Sequence, residues 1–175
     1  DSLRDKFEID PSLPTICLCP GAEFGPAKRW PTDYYAAVAN EYLKKNWQII
    51  ILGSPNDLSV GDEITQQIKE QPGFLNLIGK TKLKDAVDIL SSSSLVVTND
   101  SGLMHIAASV DVPLVALYGP TSPEFTPPLS NKVKVIKKND GFEKLRSGDL
   151  EGGYHQSLKD IKPKEVLAAL LELEP

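Results

Sequence analysis

Long apolar runs are missing from this chain. No stretch approaches the ~20 consecutive apolar residues that a membrane-spanning helix needs, and the N-terminus shows no secretory pattern. A soluble domain is expected. A basic excess is missing too: 19 Lys and Arg face 24 Asp and Glu, for a net charge of −5 and an isoelectric point near 5.1. Without a basic stripe there is no general nucleic-acid partner, and any anion site must be local. Cysteine is scarce. Cys17 and Cys19, at i and i+2 of an apolar run, point to the same face of a strand. They offer neither a disulfide framework nor, with only two distant histidines, a zinc cage. Buried reduced thiols of a cytoplasmic protein are expected, with no metal and no cofactor. The only methionine is Met104, and the chain opens on Asp1-Ser2-Leu3-Arg4. The expectation is therefore a piece of a longer protein rather than a processed product.

Several catalytic signatures are absent as well. The loop holding Gly21, Gly25, Lys28 and Arg29 invites comparison with a phosphate-binding P-loop, but only three residues separate the glycines and Pro26-Ala27 precede Lys28. Neither a G-x-G-x-x-G dinucleotide pattern nor a Gly-x-Ser-x-Gly elbow occurs, so hydrolysis through a serine relay is not expected.

What is present is a regular alternation. At 175 residues and 41% hydrophobic content the chain suits one well-buried domain, residues 1–175. Apolar runs predict strands at 15–19, 48–52, 75–78, 95–98, 114–118 and 133–136. Helical periodicity between them predicts helices at 32–45, 58–70, 83–90, 101–109 and 163–174. Strands alternating with helices imply an α/β fold, a Rossmann-like parallel sheet flanked by helices with right-handed crossovers. Residues 20–30 and 139–160 resist the alternation, and loops of that length in compact domains are functional or disordered.

The segment Val96-Val97-Thr98-Asn99-Asp100-Ser101-Gly102-Leu103-Met104-His105 runs from a buried-type strand through a polar turn into a helix. Asp100 or Ser101 is the expected N-cap. In open α/β sheets ligands bind beyond the carboxyl ends of the strands, where helix N–H groups and the helix dipole favour anions. Gly102, lacking a Cβ, would let a phosphate approach the backbone, and His105 shares a helical face with Ser101. Lys28 and Arg29 display two cations suited to paired phosphates at the same edge, Glu23 suits a sugar hydroxyl, and Gly119 and Thr121 follow the fifth strand. Taken singly, each has a plain alternative: a helix cap, a structural histidine, a solvated lysine–arginine pair. Three carboxyl-end loops converging on one edge favour a ligand site.

The runs Cys-Pro-Gly-Ala-Glu-Phe-Gly-Pro-Ala-Lys-Arg-Trp-Pro (19–31), Thr-Asn-Asp-Ser-Gly-Leu-Met-His (98–105), Ala-Leu-Tyr-Gly-Pro-Thr-Ser-Pro (116–123) and Gly-Tyr-His-Gln-Ser-Leu (153–158) carry a specific resemblance. From about Thr15 onward the chain resembles the C-terminal half of the ADP-heptose:lipopolysaccharide heptosyltransferase II family, within glycosyltransferase family 9. The resemblance implies the donor-binding half of a GT-B glycosyltransferase. That enzyme would move L-glycero-D-manno-heptose from ADP-heptose to the lipopolysaccharide inner core, at the cytoplasmic face of the bacterial inner membrane, with peripheral membrane contact by the full-length protein. The N-terminal domain, which in the family holds the acceptor site and the base, has no counterpart in this sequence, so no catalytic residue is assigned. The donor-binding residues implied are Glu23, Lys28, Asp100, Ser101, Gly102, His105, Gly119 and Thr121, and the 53–54 and 79–82 loops would border adenosine. Two other readings remain: a GT-B half with another nucleotide-sugar donor or core acceptor, and a non-catalytic nucleotide-binding module. A receiver-like module is disfavoured, because Cys19-Pro20-Gly21 supplies no acidic cluster after the first strand.

Overall fold

Six short strands carry the architecture: β1 (Thr15–Cys19), β2 (Gln48–Ile51), β3 (Phe74–Asn76), β4 (Leu95–Asn99), β5 (Leu114–Tyr118) and β6 (Val133–Lys137). The computed structural model describes residues 2–69 and 72–175. All neighbouring strands pair in parallel, in the spatial order β3-β2-β1-β4-β5-β6. Each strand lies within two residues of its expected bounds. The helices are α1 (Ser2–Phe7), α2 (Thr32–Lys44), α3 (Leu58–Thr65), α4 (Leu83–Ser92), α5 (Gly102–Ser109), α6 (Gln156–Lys159) and α7 (Pro163–Leu173).

The inner strands are buried on both faces, which explains their unbroken apolar runs. Successive side chains still alternate between two cores. Ile16, Leu18, Ile49, Ile51, Val97 and Val115 pack with residues of α2, α3, α6 and α7. Cys17, Cys19, Ile50, Val96, Leu114 and Ala116 pack on the other face with residues of α1, α4 and α5. The cysteines are indeed free and buried, and burial pushes the Cys17 thiol well above its usual range. On α2, Tyr35, Val38, Ala39 and Tyr42 are fully buried at i, i+3, i+4 and i+7, the stripe that makes this segment a helix. Asn46 after α2 and Asp111 after α5 adopt left-handed backbone (φ 61° and 59°), which lets the chain leave each helix and re-enter the sheet.

Two expectations shift. The helix expected over 58–70 ends at Thr65, beyond which Gln67 and Ile68 bond back to i−3 carbonyls in tighter turns. Its expected terminus at Glu70 lies outside the described residues. The 139–160 segment forms a strap that holds a 3-10 turn (Glu151–Gly153) and α6. The glycines at 152 and 153 take left-handed φ of 75° and 79°, which turns the strap back on itself.

The strand order reverses direction between β1 and β4. In an open parallel sheet the loops leaving two such strands diverge to opposite faces and open a crevice between them. The 20–31 loop and the start of α5 flank that crevice.

Candidate functional site

Asn99, the last residue of β4, organises the crevice. Its side chain is fully buried and all its hydrogen-bonding capacity is used. Oδ1 accepts from the Trp30 N–H (3.1 Å) and the Tyr35 hydroxyl (2.7 Å), while Nδ2 donates to the carbonyls of Pro20 (2.7 Å) and Gly21 (3.2 Å). Both ends of the long loop after β1 are thereby tied to the end of β4. Gly21 is required here by close approach: a Cβ would lie 2.3 Å from Cγ of Asp57. The middle of the loop, a 3-10 turn at Pro26–Lys28, then projects Lys28 toward the turn before α5.

Lys28 Nζ lies 3.2 Å from Oδ2 of Asp100, whose side chain is 4% exposed. That carboxylate also accepts from Thr121 Oγ1 at 2.7 Å and from Thr126 Oγ1 at 3.3 Å and 3.4 Å. Asp100 is therefore not the helix cap. The cap position falls on Ser101, with extended backbone (φ −150°, ψ 172°) and no side-chain capping bond. The first N–H groups of α5 are thus left without a side-chain acceptor. Ser101 Oγ is itself buried without a hydrogen-bond partner. A Cβ at Gly102 would meet nothing within 4 Å, so the helix start opens on free space. Burial, and secondarily the Asp100 charge, pushes the Tyr118 phenol well up; this neutral hydroxyl donates to the Thr126 carbonyl and fixes the threonine beside Asp100.

Lys28, Asp100, Ser101, Gly102 and Thr126 line a cavity of about 800 Å³, large enough for a nucleotide sugar. The floor and mouth include Gly21, Glu23, Lys28, Asp100, Ser101 and Gly102, and His105 lies on the same wall. Apolar surface comes from Phe24, Leu52, Leu83, Ala86, Leu103 and Ile106, and the 53–54 and 81–82 segments complete the rim. Six of the eight site residues expected from sequence thus share one cavity.

Gly119 and Thr121 stand behind it. Gly119 seats α6, since a Cβ there would lie 2.6 Å from Leu158 Cγ, and Thr121 reaches the site only through its bond to Asp100. Both residues' carbonyls accept from Lys137 Nζ (2.8 Å and 2.7 Å); this lysine's loss of solvent lowers its pKa from the usual lysine range. Arg29, expected as a second phosphate cation, does not line the cavity; its guanidinium lies 3.7 Å from Oδ1 of Asp57, which does. Sequence reasoning missed Asn99, Thr126 and Arg146. Asn99 lay inside a motif already singled out, and its four bonds had no local signature; Arg146 lies in the aperiodic strap. Among the described residues, no group of three or more His, Cys, Asp or Glu is placed to hold a metal ion.

The family model for glycosyltransferase family 9 (heptosyltransferase) matches residues 2–155. The chain belongs to that family. It is 52% identical to the lipooligosaccharide heptosyltransferase 2 of Haemophilus influenzae over 175 residues, covering 96% of this chain and 51% of that protein. It is 48% identical to the lipopolysaccharide heptosyltransferase 2 of Escherichia coli strain K12, covering 95% and 48%. The solved E. coli ADP-heptose LPS heptosyltransferase II superposes with a TM-score of 0.90 at 45% identity, over 98% of this chain and 50% of that one. The chain spans about half the length of the curated relatives it matches. As a family 9 sequence it joins the motif in which Lys28, Asp100 and the start of α5 meet to a parallel sheet shared with solved heptosyltransferases.

Proposed function

We propose that this chain is the donor-binding half of a GT-B heptosyltransferase. The full-length enzyme would transfer L-glycero-D-manno-heptose from ADP-heptose to the lipopolysaccharide inner core, as the second heptose. The observation that carries the reading is the juxtaposition of Lys28, Asp100 and an uncapped helix N-terminus in one cavity of a family 9 chain. An ammonium has three donors; with one directed at Asp100, Lys28 keeps two for diphosphate oxygens and offsets the charge that develops as the diphosphate leaves. The N–H groups opening α5 and the Ser101 hydroxyl suit the same phosphates. A carboxylate accepts hydrogen bonds and repels phosphate, so Asp100 suits sugar hydroxyls better, as does Glu23 at the mouth. Adenosine would lie along the 53–54 and 81–82 rim, against Leu83 and Ala86.

The acceptor and the base that deprotonates its hydroxyl would come from a facing half outside this sequence, and no residue here takes that role. The site of action proposed for the whole enzyme is the cytoplasmic face of the inner membrane, held peripherally. Among the described residues, no helix is long and apolar enough to cross a membrane.

Calorimetric titration with ADP, UDP and GDP tests the reading. ADP is expected to bind tightest; a preference for UDP or GDP would move the donor assignment, and no nucleotide binding would remove it. With ADP-heptose and a heptosyl-Kdo acceptor the chain alone is expected to transfer nothing, because an acceptor held in line and a base within reach are both needed. Transfer by the chain alone would place the base among Glu23, Asp100 and His105.

A further inference from the structure

We propose that Arg146 is a second anion-binding residue of this cavity, paired with Lys28 across the Phe24 ring and directed at the outer phosphate of a diphosphate; that the anion is the diphosphate of a nucleotide rests on the donor reading above. Three cations converge on one aromatic side chain. Lys28 Nζ lies 5.6 Å from the Phe24 ring centroid, Arg146 Cζ 5.7 Å and Lys144 Nζ 6.0 Å. Cation–π attraction holds each near the ring, yet like charges gathered around one ring repel one another. A bound anion offsets that repulsion.

Among the described residues, neither Arg146 nor Lys144 has a carboxylate within ion-pair distance. Their neighbours in the same stretch do: Lys132 pairs with Asp111, Lys134 with Glu172 and Lys138 with Glu165. Arg146 lines the same cavity as Lys28, and there, among the described residues, it has no carboxylate of its own to neutralise it.

The backbone places Arg146 there. Its carbonyl accepts from the Ala27 N–H at 3.2 Å, inside the same 3-10 turn that carries Lys28. Gly25 permits the contact: its φ is +139°, and a Cβ would lie 2.3 Å from the Arg146 oxygen. The strap is pinned again where the Glu143 N–H donates to the Pro120 carbonyl at 2.7 Å. The guanidinium thus springs from a docked main chain beside Lys28, not from a free loop. The residue types are complementary: Lys28 is a compact point charge, whereas the planar guanidinium offers parallel N–H donors to two oxygens of one phosphate. Together with the start of α5 they suit two linked phosphates rather than one.

The test is a calorimetric titration of inorganic pyrophosphate, ADP and AMP into the wild-type chain, Arg146→Gln and Arg146→Lys at low salt. Arg146 is exposed, so both variants are expected to keep the wild-type unfolding midpoint. Arg146→Gln is expected to bind pyrophosphate and ADP about tenfold more weakly while AMP affinity changes little, and Arg146→Lys to recover part of the loss. Unchanged pyrophosphate and ADP affinity in Arg146→Gln overturns the proposal, as does an equal loss for AMP and ADP. If pyrophosphate binds and weakens in the variant while ADP does not bind at all, the donor reading falls and the Arg146 assignment stands. Failure of the wild-type chain to bind either ligand overturns both.

Discussion

Replacing Asn99 with alanine should damage fold and site together. The Asn99 side chain is completely buried, and its loss strands four groups. The Trp30 N–H loses its acceptor, the Pro20 and Gly21 carbonyls lose their donor, and the Tyr35 hydroxyl falls back on the Cys19 carbonyl at 3.4 Å. A buried polar group left unsatisfied costs about 1–3 kcal/mol. With Tyr35 partly rescued and each carbonyl holding a second lone pair, the low end applies to three groups, so the expected loss is about 3–5 kcal/mol. Set against a typical stability of about 5–15 kcal/mol, the variant remains folded but marginal. Urea unfolding followed by fluorescence reads the loss, since Trp30 is fully buried beside the lesion. ADP affinity should fall about tenfold in parallel, because the loop that places Lys28 is no longer tied to β4. A stability loss below about 1 kcal/mol with unchanged ADP affinity would refute the reasoning: the loop would then be held by something other than Asn99.

Other substitutions separate the roles within the cavity. Lys28→Ala removes a charge-assisted contact of about 1.5–3 kcal/mol and should weaken ADP binding about 10- to 100-fold at low salt; unchanged affinity would make Lys28 only a partner of Asp100. Ser101→Ala deletes a buried hydroxyl that bonds to nothing, so the unfolding midpoint should hold or rise slightly while ADP affinity drops severalfold, and a clear fall in the midpoint would show that the hydroxyl serves the fold. Asp85, at the start of α4, accepts from the Lys82 N–H and from Lys6 Nζ, and these bonds lower its pKa below the ordinary 3.8. A carboxyl whose folded pKa is depressed contributes stability above its unfolded value and loses it as pH falls through the folded one. Asp85→Asn should therefore be less stable than wild type at pH 7 and converge with it as pH falls through the depressed folded pKa, which unfolding curves from neutral to acid pH check; a constant gap would mean that the contribution is not ionic.

The sheet was legible in the sequence because burial on both faces turns each inner strand into a continuous apolar run, as in Thr15–Cys19 and Leu114–Tyr118, with helical periodicity between. Much of the cavity was legible for a related reason: in a parallel sheet every strand's carboxyl end faces the same edge, so Lys28 and the 100–102 turn had to meet there. Legibility stopped where contacts run through the backbone. The Arg146 carbonyl docks on Ala27 and the Glu143 N–H on Pro120, and main-chain groups are the same for every residue type. Nor could spacing show that Arg29 swings to Asp57 or that Thr121 serves Asp100 from behind, since those choices depend on side-chain rotamers set by residues far along the chain. Asp100 reads locally as a helix cap. Tertiary partners overrode that preference, with Lys28, Thr121 and Thr126 together outbidding the helix N–H groups.

The central claim is that one cavity, at the point where the strand order reverses, holds the diphosphate and adenosine of the donor. Backbone amide shifts of the isotopically labelled chain, followed through a titration with ADP, test it most directly. The account predicts saturable shifts concentrated at Gly21–Lys28, Gly53–Ser54, Ser101–Leu103 and Arg146, all lost or weakened by Lys28→Ala. Saturable shifts confined to another surface, such as the cleft between α1 and β3, or no shifts at millimolar ADP, would contradict it.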